Sequence, residues 1–214
     1  MSSGSPNGGI LDEIAAQRVV PVLRSTDVDD AIATARACAR AGMRVIELTR
    51  SIPEVEVAVS ELAHSDELVV GVGTVVTPDE VEKSVEAGAR FMVSFGFDSE
   101  VVKASNALGI TMIPGALTPT EVARCRQAGS SVVKLFPARL IEPSYLRDLV
   151  AVMPEMEFMV TGGSPATPGG IGPWLQAGAL AVGVGSALGS AAVDGADEVE
   201  RRCRQLMQAL TVRA

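Results

Sequence analysis

The chain has 214 residues, 47 % of them hydrophobic, which is enough to bury the core of a single domain. Its formal net charge of −8 argues against nucleic acid or an anionic membrane surface as a partner, because either would require a basic face. Three scattered cysteines fit neither a disulfide framework nor a zinc site, and no apolar run reaches membrane-spanning length. We therefore expect a soluble, cytoplasmic protein with no nucleic-acid or membrane partner.

The first part of the chain predicts a tail, a leading helix and two strands. Residues 1–8 have neither the basic start nor the apolar stretch of a secretory signal, so we expect a flexible tail there. A helix near 9–17 precedes the apolar run RVVPVL at 18–23, which predicts a strand. An acidic segment beginning at 26–30 is typical of a helix start and leads to a second run, MRVIELT at 43–49.

The same alternation continues to the end of the chain. Helical segments begin with Thr-Pro and acidic residues at 77–80 and 118–121, and a closing helix is expected near 195–210. Five runs follow a glycine at a predicted helix end, where a left-handed residue is needed. The six further apolar runs are LVVGVG at 68–73, ARFMVS at 89–94, ITMIP at 110–114, SSVVKLFP at 130–137, EFMVTGG at 157–163 and ALAVGVGS at 179–186.

Eight buried strands separated by helices predict an α/β fold in which a parallel sheet closes into a (β/α)8 TIM barrel. We expect one barrel domain over residues 9–214, with an extra N-terminal helix. Such a barrel carries its chemistry at the C-terminal ends of the strands. The polar and special residues predicted at these ends are Arg24, Glu47, Thr74, Pro114, Lys134, 161–163 and 185–186.

Lys134 has the most unusual surroundings among the charged residues. The other two lysines, Lys83 and Lys103, lie in polar helical segments, whereas Lys134 lies in the apolar run 131–137. Loss of water there favours the neutral amine over the ammonium ion, and a neutral amine can attack a carbonyl carbon to form a Schiff base. The alternative is a lysine that reaches solvent from the strand end or pairs with a carboxylate.

Glu47 is the natural partner of Lys134, because it is the only carboxylate in the second apolar run. Burying it alone would be costly, so we expect it to be paired or protonated. A carboxyl group in such surroundings can take up and return protons, as the successive steps of Schiff-base chemistry require. The alternative is a purely structural ion pair between Glu47 and Lys134.

Two glycine-containing turns predict a phosphate site. Thr161-Gly162-Gly163 and Gly183-Val184-Gly185-Ser186 fall after the seventh and eighth strands, where barrels of this kind bind phosphate through backbone N–H groups. Simple tight turns are the alternative. We expect no cofactor and no metal, because the single histidine, His64, lies at a predicted exposed helix end.

Seven motifs together resemble the 2-keto-3-deoxy-6-phosphogluconate (KDPG) aldolase family. The likeness runs from about residue 10 to about residue 208, and the order of the glutamate and lysine motifs through the barrel is specific to the family. The motifs are VVPVLR at 19–24, RVIELT at 44–49, GVGT at 71–74, IPG at 113–115, VKLFPA at 133–138, TGG at 161–163 and VGS at 184–186.

This resemblance implies a class I aldolase of the Entner-Doudoroff pathway that splits KDPG into pyruvate and glyceraldehyde 3-phosphate. Family members often also act on 4-hydroxy-2-oxoglutarate (KHG) and are commonly homotrimers. Lys134 would be the Schiff-base residue and Glu47 the general acid and base. The positions implied to bind substrate are Arg24, Thr74 and Thr161 near the carboxylate and Gly162, Gly163, Gly185 and Ser186 near the phosphate, together with Ser51, Pro114 and Phe136.

The sequence departs from the family pattern next to Glu47. Ser51 occupies the position at which many relatives have a carboxylate-binding arginine, and Arg50 stands one place earlier. On a strand, one place means the opposite face. We therefore expect Arg24 to bind the carboxylate. Near the phosphate turns, the loop 164–171 is longer and richer in proline and glycine than is usual for the family.

Three other functions compete with KDPG cleavage. A sibling aldolase could act on the galactonate analogue (KDPGal) or mainly on unphosphorylated KHG. A phosphate-binding isomerase or epimerase could use Glu47 as a base and Lys134 as an electrostatic group, and a barrel that only binds a phosphosugar would use neither. Trapping a Schiff base with borohydride separates the aldolases from the other two.

Overall fold

A computed structural model describes residues 8–64 and 68–211 of the chain. Of the predicted tail, residues 1–7 lie outside the described residues, and Gly8 is the first residue of α1. Within the described ranges the strands are β1 Val19–Leu23, β2 Val45–Thr49, β3 Val69–Gly73, β4 Phe91–Val93, β5 Thr111–Ile113, β6 Gly115–Ala116, β7 Val132–Leu135, β8 Glu157–Thr161 and β9 Ala181–Val184. The α-helices are α1 Gly8–Gln17, α2 Val28–Arg40, α3 Val55–Ala63, α4 Pro78–Glu86, α5 Ser99–Ala107, α6 Pro119–Gln127, α7 Pro143–Val152, α8 Pro168–Gln176, α9 Ala191–Asp194 and α10 Ala196–Thr211.

The strands form one parallel sheet in the order β5-β4-β3-β2-β1-β9-β8-β7-β6. Its two outermost strands, β5 and β6, are consecutive in the chain and are joined through Pro114, so the sheet curls into a nearly closed barrel. The alternation of strands and helices confirms the predicted α/β TIM-type barrel. Short 3-10 helices at Ala138–Leu140 and Ser186–Leu188 follow β7 and β9.

The fifth predicted strand differs from expectation because it is divided in two. Pro114 has no N–H to donate to a sheet, so the ladder breaks there. β5 pairs with β4, whereas β6 pairs with β7. Gly115 allows this bend, because a Cβ atom at that position would lie 2.1 Å from the Phe95 carbonyl carbon. Despite this division, β6 still pairs with β7 beside Lys134.

The helix ends agree with the signals in the sequence. The five predicted glycines all have positive φ, from +66° to +104°, one residue after a helix C-cap: Gly42, Gly88, Gly109, Gly129 and Gly178. α4 and α6 each begin with a complete capping box, formed by Thr77 with Glu80 and by Thr118 with Glu121. The bounds of these helices are therefore determined by local sequence signals.

The interior of the barrel is apolar at its N-terminal end. Side chains of α1, including Ile10 and Ile14, pack against inward-facing strand residues such as Val45 and Val132. These two valines lie two residues before Glu47 and Lys134 on the same strands, so they point to the same side. The apolar layer and α1 thus close the end of the barrel beneath these two charged residues.

The described residues can be compared with what the composition predicts about membrane spans and cysteines. No helix among them is long and apolar enough to cross a membrane. The three cysteines are buried free thiols, with the Sγ atoms of Cys38 and Cys203 3.7 Å apart, and burial raises the pKa of the Cys125 thiol to about 12.

Candidate active site

Lys134 on β7 and Glu47 on β2 meet inside the barrel, as the sequence predicts. Their Nζ and Oε1 atoms are 3.3 Å apart, and their side chains are 4 % and 0 % exposed. The second carboxylate oxygen, Oε2, is buried and has no hydrogen-bond partner among the described residues. The Lys134 Nζ also lies 5.7 Å from the centre of the Phe136 ring, within range of a cation–π interaction. One oxygen of this buried pair is therefore free to bind another group.

Glycines on the neighbouring strand β3 make room for the carboxylate. A Cβ atom added at Gly73 would lie 1.9 Å from Glu47 Oε1, so no larger residue fits there without displacing Glu47. At Gly71 the space is filled by the Phe91 ring, which would lie 2.3 Å from an added Cβ. Glycines within a buried strand are unusual, and in the GVGT motif they are the sequence signal for this close approach.

If Glu47 is the acid–base group that the sequence predicts, replacing Gly73 with alanine is expected to lower activity by about 100-fold or more, because the added methyl group pushes its carboxylate away from Lys134. The catalytic rate should be compared with that of Gly172→Ala in α8, where an added Cβ meets nothing within 4 Å. The control should be as stable as the wild type or more so, since alanine favours a helix over glycine. Near-normal activity of Gly73→Ala would show that the position of the Glu47 carboxylate is unimportant.

Thr161, at the end of β8, provides a second unsatisfied polar atom in the barrel. Its Oγ1 is buried and has no hydrogen-bond partner among the described residues. Gly183 on β9 leaves space for it, because an added Cβ would lie 2.4 Å from this oxygen. Unpaired buried polar atoms are costly and occur where a ligand can satisfy them. Thr161 Oγ1 and Glu47 Oε2 are two such atoms inside one barrel.

Ser51 and Arg50 follow β2 but face different surroundings. Ser51 is exposed, and its Oγ lies 2.6 Å from Thr49 Oγ1, which donates to the Leu23 carbonyl at 2.9 Å. Arg50 instead forms ion pairs with Glu56 on α3 at 2.8 Å and with Glu80 on α4 at 3.1 Å. Burial acts to raise the pKa of Glu56, but the hydrogen bond from Arg50 holds it below its usual range. Arg50 is thus engaged with the surrounding helices.

The other residues predicted to lie near the carboxylate of the substrate follow strands at the C-terminal rim of the barrel. Arg24 follows β1 with an exposed side chain, and it lines a cavity of about 50 Å³ together with Gly185 and Ser186. Thr74 follows β3 with a left-handed φ of +67°, an uncommon conformation for a residue with a branched side chain. Such strain is often retained at functional sites. Pro114 is buried at the break between β5 and β6.

The first of the two predicted phosphate turns has a conformation that depends on its glycines. Gly162 and Gly163 have φ values of +100° and +109°, so each favours glycine. A Cβ at Gly162 would lie 2.9 Å from the Phe136 ring, and the Gly162 carbonyl accepts a hydrogen bond from Arg139 N at 2.8 Å. Ser186 is exposed and begins the 3-10 helix after β9. Both turns lie at the C-terminal end of the barrel.

The structure brings several residues to the site that sequence reasoning did not select. Gly73 and Gly183 create space inside the barrel, and Glu56 and Glu80 form ion pairs with Arg50. The glycines lie within quoted motifs, whereas no local pattern predicts the Arg50 contacts. His64 is exposed at the C-cap of α3, as expected, and no group of three or more potential metal ligands occurs among the described residues.

Comparisons with known proteins identify the family of the chain. A family model described as KDPG and KHG aldolase matches residues 10–203. The 2-dehydro-3-deoxy-6-phosphogalactonate aldolase of Escherichia coli is 30% identical over 190 residues, covering 87% of this chain and 90% of that protein. The 2-dehydro-3-deoxy-phosphogluconate aldolase of Treponema pallidum is 34% identical over 156 residues, covering 72% and 74%.

A solved structure of an aldolase with this description has the same fold. A KDPG aldolase from Legionella pneumophila, with pyruvate captured as a covalent carbinolamine intermediate, superposes with a TM-score of 0.82 at 27% identity. The match covers 92% of this chain and 97% of that one. These relatives support a carbon–carbon lyase activity of the aldolase type. The chain therefore belongs to the KDPG and KHG aldolase family.

Proposed function

We propose that this protein is a metal-independent class I aldolase that cleaves KDPG into pyruvate and glyceraldehyde 3-phosphate. The observation that carries the proposal is the buried contact between Lys134 Nζ and Glu47 Oε1 at 3.3 Å. An amine that forms an imine must lose its proton, and the carboxylate beside it can accept that proton directly. We propose further that the protein acts in the cytoplasm, in the Entner-Doudoroff pathway, as a homotrimer.

The reaction would begin at the C2 ketone of the substrate. The neutral amine of Lys134 adds to C2 to give a carbinolamine. Glu47 then gives the proton that it took from Lys134 to the hydroxyl group of the carbinolamine, which leaves as water, so that a protonated imine and an ionised Glu47 carboxylate remain. This cation draws electrons from the bond between C3 and C4. The small exposure of Lys134, 4 %, keeps bulk water away from the imine while it reacts.

Glu47 would transfer the protons of the later steps. Its carboxylate removes the proton of the C4 hydroxyl, the C3–C4 bond breaks, and C4 leaves as the aldehyde carbon of glyceraldehyde 3-phosphate. The electron pair of that bond forms the enamine of Lys134. Glu47 then returns its proton to C3, and hydrolysis of the imine releases pyruvate and the free lysine. The unpartnered Oε2 is the oxygen available to the C4 hydroxyl.

The substrate would be held at both ends. We propose that Arg24, Ser51, Thr74 and Thr161 bind the carboxylate and that Pro114 and Phe136 form the pocket wall. The unsatisfied Thr161 Oγ1 supports a polar ligand near that end. The phosphate would bind the turns at Gly162, Gly163, Gly185 and Ser186. Positive φ at the first two orients backbone groups that a substituted residue could not present.

KDPGal, which differs from KDPG at C4, is the second candidate substrate. It is favoured by the E. coli relative, which carries this activity in its name and covers 87% of the chain. A coupled assay of pyruvate release from KDPG, KDPGal and KHG tests the choice. Preference for KDPG would support the proposal, whereas preference for KDPGal would identify KDPGal as the substrate instead. Turnover of KHG equal to that of the phosphorylated substrates would contradict recognition of the phosphate.

Substituting Ser186 with aspartate is expected to remove most of the preference for a phosphorylated substrate. The new carboxylate would stand against the phosphate at the end of β9 and repel it. We expect kcat/KM for KDPG to fall by about 100-fold, in line with a like-charge contact that costs several kcal/mol. Turnover of KHG should change little, because Lys134 and Glu47 are untouched. Equal losses for both substrates would contradict phosphate recognition at this turn.

Chelating agents are expected to leave the activity unchanged. In the proposed reaction the Lys134 imine takes the electron-withdrawing role that a metal ion has in other aldolases. Pyruvate release should be measured after prolonged incubation with EDTA and again after adding Zn²⁺ or Mg²⁺. A loss with EDTA that the metal restores would overturn the metal-independent mechanism.

A further inference from the structure

The segment after β9 is anchored to an acidic side chain near the opposite end of the sequence. Asp30 lies in the first turn of α2, and its Oδ1 accepts a hydrogen bond from the Ala192 N–H at 2.7 Å. Its Oδ2 accepts one from the Ser25 hydroxyl at 2.8 Å. Thr34, one turn further along α2, accepts from the Ala191 N–H at 2.8 Å and donates to Asp30 Oδ1 at 3.4 Å.

These contacts connect two loops that carry candidate site residues. Ser25 directly follows Arg24, and Ala191 begins α9, which follows the 3-10 helix Ser186–Leu188. Arg24, Ser25, Asp30, Gly185 and Ser186 all line the same cavity of about 50 Å³. Asp30 is thus the point at which the loop after β1 and the loop after β9 are joined at the C-terminal rim.

We propose that Asp30 is a positioning residue for the phosphate end of the site, an inference that rests on the proposed function. It holds the segment of Gly185 and Ser186 against α2, so that its donors are in place before the substrate arrives. A hydrogen bond to an ionised acceptor is shorter and stronger than one between neutral groups, which suits a contact that fixes the position of a loop. Asp30 acts through the loop and does not touch the phosphate.

Removal of the Asp30 carboxylate is expected to loosen the segment after β9 more than the loop after β1. Ser25 Oγ also accepts a hydrogen bond from the Asp27 N–H at 3.1 Å, so Ser25 keeps a local anchor when Asp30 is removed. The Ala192 N–H would lose its hydrogen bond to Asp30, whereas the hydrogen bond from the Ala191 N–H to Thr34 would remain. Loosening this segment should therefore weaken the phosphate end more than the imine end.

A competing explanation is that Asp30 only favours the helix start through its charge. Asp29 provides the matched control, because it lies in the same turn of α2, carries the same charge and is exposed. Removing either carboxylate changes the interaction with the helix dipole equally. Of the two, however, only Asp30 forms a hydrogen bond with the segment after β9. Asp30→Asn is the conservative variant, since it keeps the acceptor Oδ1 for the Ala192 N–H.

The experiment compares Asp30→Ala, Asp30→Asn and Asp29→Ala with the wild type on KDPG and on unphosphorylated KHG. For Asp30→Ala we expect KM for KDPG to rise about tenfold, as for the loss of a hydrogen bond to a charged group, with kcat and the KHG parameters nearly unchanged. Asp30→Asn should lose less, and Asp29→Ala should match the wild type. Binding of inorganic phosphate, measured by calorimetry, should weaken in the same order.

Several results would overturn the inference. They are equal losses of KDPG and KHG turnover in Asp30→Ala, identical behaviour of Asp29→Ala and Asp30→Ala, or tighter phosphate binding once the carboxylate is gone. A wild type that releases no pyruvate from any substrate contradicts the proposed function instead, and phosphate calorimetry then still decides the role of Asp30. Failure of Asp30→Ala to fold, together with wild-type phosphate binding by Asp30→Asn and low stability, would assign Asp30 a structural role only.

Discussion

Replacing Lys134 with arginine is expected to reduce pyruvate release to background. A guanidinium group keeps its positive charge and its contact with Glu47 but cannot lose a proton to attack a carbonyl carbon. Pyruvate formation in a coupled assay measures the loss, and a thermal unfolding curve should show that the variant still folds. Substantial residual turnover would mean that Lys134 acts by charge, as the isomerase and epimerase alternatives require.

Borohydride trapping identifies the nucleophile directly. Pyruvate with borohydride should inactivate the wild type and leave a reduced adduct on Lys134, located by mass spectrometry. Lys83 and Lys103 are internal controls, because both are exposed and paired with nearby carboxylates, Asp79 and Glu100. These pairs raise the pKa of both amines, which keeps them protonated and unreactive. An adduct on Lys83 or Lys103 alone would overturn the assignment.

Replacing Glu47 with glutamine is expected to slow turnover by about 10²–10⁴-fold, the usual contribution of a positioned acid–base group. Glutamine preserves the shape of the side chain but cannot remove the C4 proton or return a proton to C3. Some imine should still form, so borohydride should continue to label Lys134 in this variant. Single-turnover measurements of imine formation and of pyruvate release separate the two steps.

The stability of Glu47→Gln separates a chemical role from a structural one. Breaking a buried ion pair typically costs about 3–5 kcal/mol, so some destabilisation is expected in either case. Glu61→Gln is the control, because it removes a carboxylate from the exposed pair with Arg36. Normal turnover by a destabilised Glu47→Gln would reduce the residue to an ion-pair partner.

Much of the fold is predictable because its signals are local. Each strand is a short apolar run, and many helix ends carry a capping side chain or a left-handed glycine, as at Thr77 and Gly42. The meeting of Glu47 with Lys134 is also predictable in outline. Parallel strands in a barrel direct their C-terminal ends to one rim, and a buried charge seeks a partner.

Long-range polar contacts are not predictable in this way. The Arg50–Glu80 pair and the Ala192–Asp30 hydrogen bond join residues far apart in sequence, and nothing in the local pattern of either partner selects the other. The break at Pro114 could have been expected from the missing N–H, but not that β5 and β6 would pair with different neighbours. These contacts depend on the assembled barrel.

The closed N-terminal end of the barrel determines the order in which molecules move. Because Ile10, Ile14 and the apolar layer around Val45 and Val132 fill that end, the substrate, water and both products of the proposed reaction would share the opposite rim. In the proposed reaction the aldehyde fragment, held by its phosphate, stands between the enamine and solvent. Water reaches C2 only after this fragment has gone, so glyceraldehyde 3-phosphate departs first and pyruvate last.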